Sequence, residues 1–345
     1  MAMIVHLKIN GVERDAERPT HLLIYSAGND TGGQNYRIKR AFDRYAPDFE
    51  AHAAHATPSY MDYPREIVSD TKTLCEMRRL FAHADVLHLN NTRAGLGRFA
   101  IAASQPAILH HHGSRFRSGH KAIAEGARKA GYPQIVSTLD LMTLEPDLTW
   151  CPSPFPVEEL FSIGQENKRE PDGIIRIVQC PTARAVKGTE VLIKAVFDLR
   201  QEGYPVELDL VEHETWKTTL RRKAAADIFV DQPGGFGYGN NAVEAWCMGL
   251  PVVSGINEDR VPGTRDLMLE TWGRLPFVEA SEETLTDVLR NLILDRQMRL
   301  AYGSYGLAHA RRWHSEEYVA NLLRGVYQEA IDEQCRRKAA RTGKQ

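Results

Sequence analysis

Short apolar runs alternate with amphipathic stretches along most of the chain. In residues 3–16, apolar and polar residues alternate around Asn10-Gly11, a favoured two-residue turn, which predicts a β-hairpin. A second apolar run at 22–25 leads into the glycine-rich loop 28–33 and a helical segment at 34–45. Strand, glycine-rich loop and helix in this order are typical of the start of an α/β domain.

The same alternation continues and predicts two α/β halves. In the first half it predicts a helix at 65–83 and strands at 49–55, 85–89, 107–111 and 134–137. Four prolines between 152 and 171, with the polar stretch 164–173, predict a linker. The second half has predicted strands at 174–178, 206–211, 227–230 and 251–253, and predicted helices at 189–200, 240–248, 282–294 and 316–332. The basic tail after Glu333 is expected to fray.

Composition excludes several classes of protein. The 345 residues are 43% hydrophobic and 26% charged with a formal net charge of −2, which argues against disorder, a coiled coil and a surface that grips nucleic acid throughout. No apolar run approaches the ~18 residues that span a bilayer, and no secretory leader is visible. The five cysteines are widely spaced, which favours reduced thiols in a cytoplasm.

Two loops of the second half are candidates for ligand binding. Arg184 and Lys187 follow a predicted buried strand, where two cations can converge on one anion, although a solvated loop explains them equally well. The second loop, 231–245, is rich in glycine and leads into a helix whose first N–H groups would face phosphate. Glu244, one turn into that helix, would accept hydrogen bonds from ribose or stabilise the helix N-terminus.

The spacing Gly237-x-Gly239-x-x-Ala242 also matches the dinucleotide fingerprint. That fingerprint belongs on the tight turn of a first βαβ unit, whereas this match lies deep in the second half. A dehydrogenase is therefore a minor alternative.

The order of these pieces resembles the retaining nucleotide-sugar glycosyltransferases of the GT-B fold, group 1 (family 4-like). The resemblance is concentrated in 174–255, in Lys187-Gly188, Gly237-Tyr238-Gly239, Glu244-Ala245 and Gly249-Leu250-Pro251-Val252-Val253. It implies an α/β GT-B architecture of two Rossmann-like domains that face each other across a cleft. The acceptor-side domain would be 1–165, the nucleotide-sugar domain 171–312, and a helix at about 316–335 would pack back on the first domain.

The resemblance also assigns roles to residues of the second half. Arg184 and Lys187 would hold the donor diphosphate as catalytic residues, and Glu244 would hold the ribose. The other donor-binding positions would be Phe236, Gly237, Tyr238, Gly239, Asn240 and Asn241. Two positions depart from the pattern: Phe236 stands where the family has a sugar-contacting glutamate, and Thr182 stands where it has the phosphate-binding arginine.

In the first half, Gly32 and Gly33 resemble the family's first glycine-rich loop, and His112 matches a histidine that faces the reacting sugar. Three consecutive histidines, 110–112, also suggest zinc, but adjacent residues of a strand point to opposite faces. A buried polar strand end is the plain alternative. Arg115 and Arg117 would contact an anionic acceptor or lie in solvent.

The expected reaction is transfer of a sugar from a nucleoside diphosphate to an acceptor hydroxyl, without a metal or other cofactor and with retention. The acceptor remains open among a glycan, a lipid near the cationic stretch Arg37, Lys39, Arg40 and Arg44, and a modified DNA base near Arg115, Arg117, Lys121 and Arg128. The alternatives are a non-catalytic nucleotide-binding protein, an epimerase or a phosphorylase of the same shape.

Overall fold

The computed structural model describes residues 8–9, 12–13, 18–59, 61–64, 67–68, 72–90 and 105–342. Its strands are β1 (Lys8–Ile9), β2 (Val12–Glu13), β3 (Thr20–Ser26), β4 (Phe49–His55), β5 (Ile67–Val68), β6 (Val86–Asn90), β7 (Ala107–His111), β8 (Gln134–Val136), β9 (Thr149–Trp150), β10 (Ile175–Gln179), β11 (Val206–Leu210), β12 (Ile228–Val230), β13 (Val252–Ser254) and β14 (Val278–Glu279). Its α-helices are α1 (Gln34–Tyr45), α2 (Leu74–His83), α3 (Gly113–Ala130), α4 (Asp140–Leu144), α5 (Val157–Glu166), α6 (Arg184–Lys187), α7 (Thr189–Gln201), α8 (Trp216–Ala224), α9 (Asn240–Cys247), α10 (Thr264–Trp272), α11 (Leu285–Leu294), α12 (Arg296–Trp313) and α13 (Glu316–Thr342).

The predicted N-terminal hairpin is present as a short antiparallel pair. β1 and β2 pair Lys8 with Glu13 and Ile9 with Val12. This register leaves two residues between the strands, as the predicted turn requires. The turn itself, Asn10-Gly11, lies outside the described residues.

Two parallel sheets organise the rest of the described chain. The N-terminal unit is built on a seven-stranded sheet in the order β5-β4-β3-β6-β7-β8-β9, and the C-terminal unit on a five-stranded sheet in the order β11-β10-β12-β13-β14. The central strand β3 reads as an unbroken apolar run because Leu22, Leu23 and Ile24 are buried on both faces of its sheet. The sequence therefore predicted these strands from apolar runs rather than from alternation.

The last helix returns to the N-terminal unit. Along α13, Val319, Leu323 and Tyr327 recur at helical spacing and are fully buried against Ile38 and Phe42 of α1. The chain thus crosses between the units twice, once before β10 and once before α13.

Helix α5 is also part of the contact between the units. It lies inside the range expected for the first domain, yet Val157 and Leu160 pack in the same core as Val243 and Trp246 of α9. The helix also lies within 152–173, where the prolines and the polar stretch 164–173 predicted a linker.

Two further predictions from pattern were wrong in part. The segment 65–83 was expected to be one helix, but Ile67–Val68 pairs with β4 as a strand and the helix begins only at Leu74. The basic tail was expected to fray, but α13 continues to Thr342 and Arg337 pairs with Glu333 one turn earlier. None of the helices within the described ranges is both long enough and apolar enough to span a bilayer.

Truncating Leu323 to alanine tests whether α13 is part of the N-terminal core. We expect a loss of about 2–5 kcal/mol in the free energy of unfolding, because the side chain is fully buried and leaves a cavity. The neighbouring exposed Arg324, which pairs with Asp48, is the control, and its alanine variant should cost less than about 1 kcal/mol. Equal losses in urea denaturation of the two variants would contradict this docking.

Candidate functional site

A cleft of about 350 Å³ lies where the carboxyl ends of the two sheets face each other. The N-terminal unit contributes residues from the loops 29–32 and 59–63, which follow β3 and β4. The C-terminal unit contributes residues from 180–187, 211–219 and the start of α9. Open α/β sheets bind ligands at this edge, since the loops there are free to vary while the strands hold them in place.

A buried group of charges joins the two units at the floor of this cleft. Glu244 of α9 accepts hydrogen bonds at Oε1 from Arg37 Nη2 at 2.6 Å and from Trp216 Nε1 at 2.8 Å. Its Oε2 accepts from Lys223 Nζ at 2.6 Å. The three charged side chains are almost completely inaccessible. Burial alone would raise the pKa of Glu244, but Lys223 and Arg37 hold it below its ordinary value.

The position of Arg37 differs from the sequence expectation. It was placed with Lys39, Arg40 and Arg44 on a cationic face, but its guanidinium is buried 4.1 Å from the centre of the Phe155 ring. The other three cations pair with carboxylates, Lys39 with Asp43, and Arg40 and Arg44 with Glu316. The stretch is therefore not an unpaired basic surface.

Lys187 reaches the cleft, and Arg184 does not. The ammonium group of Lys187 lines the cleft and pairs with Asp231, which is buried at the end of β12. Arg184 lies on the outer surface, where Glu212 accepts at 2.6 and 2.9 Å and Glu190 at 3.0 Å. The two cations expected to converge on one anion are thus directed apart.

The start of α9 forms one wall of the cleft. Asn240, Asn241 and Glu244 line it. The amide of Gly239, just before the helix, donates to Asp231 Oδ2 at 2.7 Å, so a carboxylate of the protein already occupies it. The amides of Asn240 and Asn241 begin the helix, whose N-terminal end carries partial positive charge.

The first glycine-rich loop brings the units into close contact. Gly32 has φ +63°, and a Cβ there would lie 2.5 Å from Asn240 Nδ2. Gly33, at φ +70°, faces the Tyr63 ring in the same way and does not line the cleft. Asp30, which caps α1 by accepting from the amides of Asn35 and Tyr36, lines the cleft; burial raises its pKa to about 6.

The segment 236–238 serves packing rather than the cleft wall. Tyr238 is buried among aromatic rings and its hydroxyl lies 3.2 Å from His314 Nε2. Phe236, at the family's glutamate position, has the Arg117 guanidinium 4.1 Å from its ring centre. Arg117 comes from the opposite unit, and its Nε donates to the buried Asp140 at 2.6 Å.

The three histidines at the end of β7 alternate in direction. The rings of His110 and His112 lie on one side, tilted by 39° with their centres 4.2 Å apart, whereas His111 stacks on Phe116 on the other side. Within the described part of the chain, no group of three metal-ligating side chains converges. The zinc alternative for 110–112 has no support from this geometry.

A chain of amides fixes the proton on His112. Asn35 Nδ2 donates to the carbonyl of Ala54, so its Oδ1 must accept from Asn90 Nδ2 at 2.7 Å. Asn90 Oδ1 then accepts at 2.8 Å from His112 Nε2, which therefore carries the proton. Although part of the residue reaches the surface, burial of the ring lowers the pKa of His112 to about 3.

The remaining predicted acceptor residues are peripheral. Arg115 is exposed on α3, and Arg128 pairs with Glu145. Five of the predicted site residues line the cleft: Gly32, Lys187, Asn240, Asn241 and Glu244. The other predicted residues do not line it: Gly33, His112, Arg115, Arg117, Arg184, Phe236, Gly237, Tyr238 and Gly239.

Comparisons with known proteins identify the architecture. No protein-family model matches the sequence, and no curated protein matches it. Among solved structures, HepE of Anabaena in complex with UDP and glucose is similar with a TM-score of 0.64 at 14% identity, covering 89% of this chain and 99% of that one. An α-glucosyltransferase in complex with UDP and a mismatched 13-mer DNA gives 0.63 at 10% identity, with the same coverage of 89% and 99%. The chain has the GT-B fold.

A third GT-B structure, WaaG, a glycosyltransferase involved in lipopolysaccharide biosynthesis, gives a TM-score of 0.51 at 14% identity, with 91% of this chain and 98% of that one covered. At these identities the comparison shows the fold alone. The predicted α/β architecture with two Rossmann-like units is confirmed.

Sequence reasoning missed four residues that shape this GT-B cleft. Asp30, Tyr63 and Trp216 line it, and Asp231 lies directly behind Lys187. Only Asp231 had a usable signal, a carboxylate at the end of a buried strand directly before a glycine-rich loop. Asp30 caps α1 within its own unit. Tyr63 and Trp216 pack against each other across the two units, and a single sequence does not pair them.

Replacing Glu244 with glutamine should leave Arg37 and Lys223 buried without a counter-charge. We expect a loss of about 3–5 kcal/mol in the free energy of unfolding, measured by chemical denaturation. The matched control is Glu212→Gln on the exposed Arg184 pair, which should leave stability almost unchanged. A Glu244→Gln variant as stable as the control would show that the charge of Glu244 does not contribute to the stability of the fold.

The buried histidines make stability depend on pH. Unfolding restores an ordinary histidine pKa of about 6.5. Below that pH, His112 binds a proton in the unfolded chain but not in the folded protein, so the free energy of unfolding falls as the pH drops. In His112→Asn, the decline in unfolding free energy between pH 6 and 4.5 should be shallower by about 1.4 kcal/mol per pH unit. Identical slopes in the wild type and in His112→Asn would refute the assignment.

Proposed function

We propose that this protein is a glycosyltransferase that moves a sugar from a nucleoside diphosphate sugar to an acceptor hydroxyl. The observation that carries the proposal is the meeting of Lys187 and the start of α9 on one wall of a cleft between the two GT-B units. A Cβ at Gly239 would lie only 3.4 Å from Lys187 Nζ, so a phosphate at this wall would contact both the ammonium and the helix amides.

The chemistry follows from the leaving group. Cleavage of the bond between sugar and diphosphate builds negative charge on the β-phosphate, and cations or amides fixed in a protected cleft stabilise that charge. Lys187 and the amides of Asn240 and Asn241 would supply this stabilisation. We propose that no metal ion is required, because these groups can carry the charge themselves.

The nucleoside would lie against the floor of the cleft. Glu244 Oε2 accepts one bond, from Lys223, and keeps a lone pair for a ribose hydroxyl. Trp216 and Tyr63, whose ring centres are 5.3 Å apart, give this end of the cleft an aromatic wall. UDP-sugars are the donors to test first, because HepE and the α-glucosyltransferase were both solved with UDP.

Arg184 needs a revised role in this proposal. It would contact the donor only after leaving Glu212, whose neighbours Val211 and His213 line the cleft. The pair of Arg184 and Glu212 is exposed, and exposed ion pairs are weak. An anionic ligand could therefore replace Glu212 as the partner of Arg184. We propose that Arg184 adds to donor binding at the rim rather than to the resting clamp.

We also propose retention of the anomeric configuration, supported by the resemblance in 174–255. The donor phosphate would take the acceptor proton as the acceptor attacks from the same face. NMR of the anomeric proton in the first turnover product tests this, because an inverted product would exclude it.

The test offers a panel of UDP-sugars with glycan, lipid and oligonucleotide acceptors, and follows sugar transfer and slow donor hydrolysis. Lys187→Ala should reduce turnover by about 10²–10³-fold while the fold survives. Lys194→Ala is the matched control, since that lysine pairs with Asp198 on an exposed helix face. Chelation with EDTA should leave the rate unchanged.

The other results have defined meanings. Thermal stabilisation by UDP-sugars without any transfer or hydrolysis would favour a nucleotide-binding protein. Interconversion of UDP-sugars without release of UDP would favour an epimerase. Full activity of Lys187→Ala would refute the phosphate site itself.

A further inference from the structure

Asp231 occupies the groups that the proposed diphosphate would use. It lies at the end of the strand β12 and is 2% exposed. Its Oδ2 accepts from the Gly239 amide at 2.7 Å, and its Oδ1 accepts from Lys187 Nζ. The Asp231 carboxylate thus accepts from both the Lys187 ammonium and the Gly239 amide, which lies just before α9.

The carboxylate is held firmly in this position. The amide of Asp231 donates to the carbonyl of Val253 at 2.9 Å in the neighbouring strand. Gln179 Nε2 donates to the carbonyl of Lys187 at 2.8 Å, and Thr189 Oγ1 fixes Gln179 with a 2.7 Å bond. Neither end of the Asp231–Lys187 pair is on a free loop.

The charge of this pair matters because the cleft holds few cations. Of the described residues that line the cleft, Lys187 is the only lysine or arginine. Behind the wall, Arg37 and Lys223 are both committed to Glu244. A diphosphate therefore meets a lysine whose charge is already balanced by a buried carboxylate.

We propose that Asp231 is an internal counter-anion and a positioning residue of the leaving-group site, an inference that rests on the proposed function. By accepting from both groups, Asp231 holds Lys187 Nζ and the Gly239 amide close together at the wall of the cleft. It also shares both donors with the β-phosphate, which weakens the hold on free diphosphate. The same carboxylate thus favours fast reaction and release of the nucleoside diphosphate product.

Asp231→Asn separates the two effects. The two donors contact different oxygens of Asp231. Asparagine places an NH2 group where one of those oxygens lies, so either Lys187 Nζ or the Gly239 amide loses its acceptor there, and the side chain carries no charge. We expect UDP, measured by calorimetry, to bind about tenfold more tightly because the competing charge is gone. We expect kcat to fall about tenfold, because Lys187 is no longer held in place.

The controls distinguish this role from a structural one. Asp198→Asn removes a carboxylate from an exposed lysine pair, and it should change neither UDP affinity nor kcat. In a Lys187→Met background, Asp231→Asn should tighten UDP binding less than it does in the wild type. Should Asp231→Asn fail to fold, Asp231→Ser, which is smaller and also uncharged, carries the same expectation.

The opposing outcomes are distinct. If the wild type binds UDP and Asp231→Asn binds it equally or more weakly, Asp231 is only a structural residue, and this inference fails while the proposed function stands. If the wild type binds neither UDP nor any UDP-sugar, both fail together.

Discussion

The contact between Arg37, Glu244 and Lys223 is the constraint on which the cleft depends. One carboxylate on α9 compensates a cation from each unit, and Trp216 completes its hydrogen bonds. Buried charges of this kind are costly unless each one is paired, so the two units have a defined relative position in which all three are satisfied. That position brings Gly32 against Asn240 and closes the floor of the cleft.

Cations near the wall of the cleft that we propose for phosphate binding are likewise paired with carboxylates of the protein. Lys187 is balanced by Asp231, and Arg184 at the rim by Glu212 and Glu190. The cleft therefore presents an anionic ligand with cations that already have partners. The Arg184 pair is exposed and the Lys187 pair is buried, so the two basic residues lie in different environments although they are three residues apart.

Phe236, one of the two positions that depart from the pattern of the resemblance, makes a contact between the units. Phe236 lacks a carboxylate to read a sugar, and its ring is instead covered by Arg117, which Asp140 anchors through Nε. The stacking of the Arg117 guanidinium on the Phe236 ring is a second contact between the units, in addition to the buried ion group at the floor of the cleft. Phe236 thus makes a packing contact between the units.

The sequence by itself determined that the chain is an α/β protein and where most of its parallel strands lie. Short apolar runs such as 22–25 and 251–253, bounded by turn residues, favour buried strands, and the glycines of 28–33 indicate the loop that follows the first of them. It also determined which side chains of the C-terminal unit face the cleft when their direction follows from the helix itself, as for Asn240 and Glu244.

Tertiary structure decided everything that depends on a partner distant in the chain. The sequence grouped Arg37 with Lys39, Arg40 and Arg44 as a cationic stretch, because the pattern does not show that Glu244, 207 residues later, lies opposite Arg37. Arg184 is directed away from the cleft, where it pairs with Glu212 and Glu190. Tyr238 is directed into the interior, where other aromatic rings enclose it. A charged or aromatic side chain takes the direction in which its charge is balanced or its surface is buried, and only the folded chain supplies that neighbour.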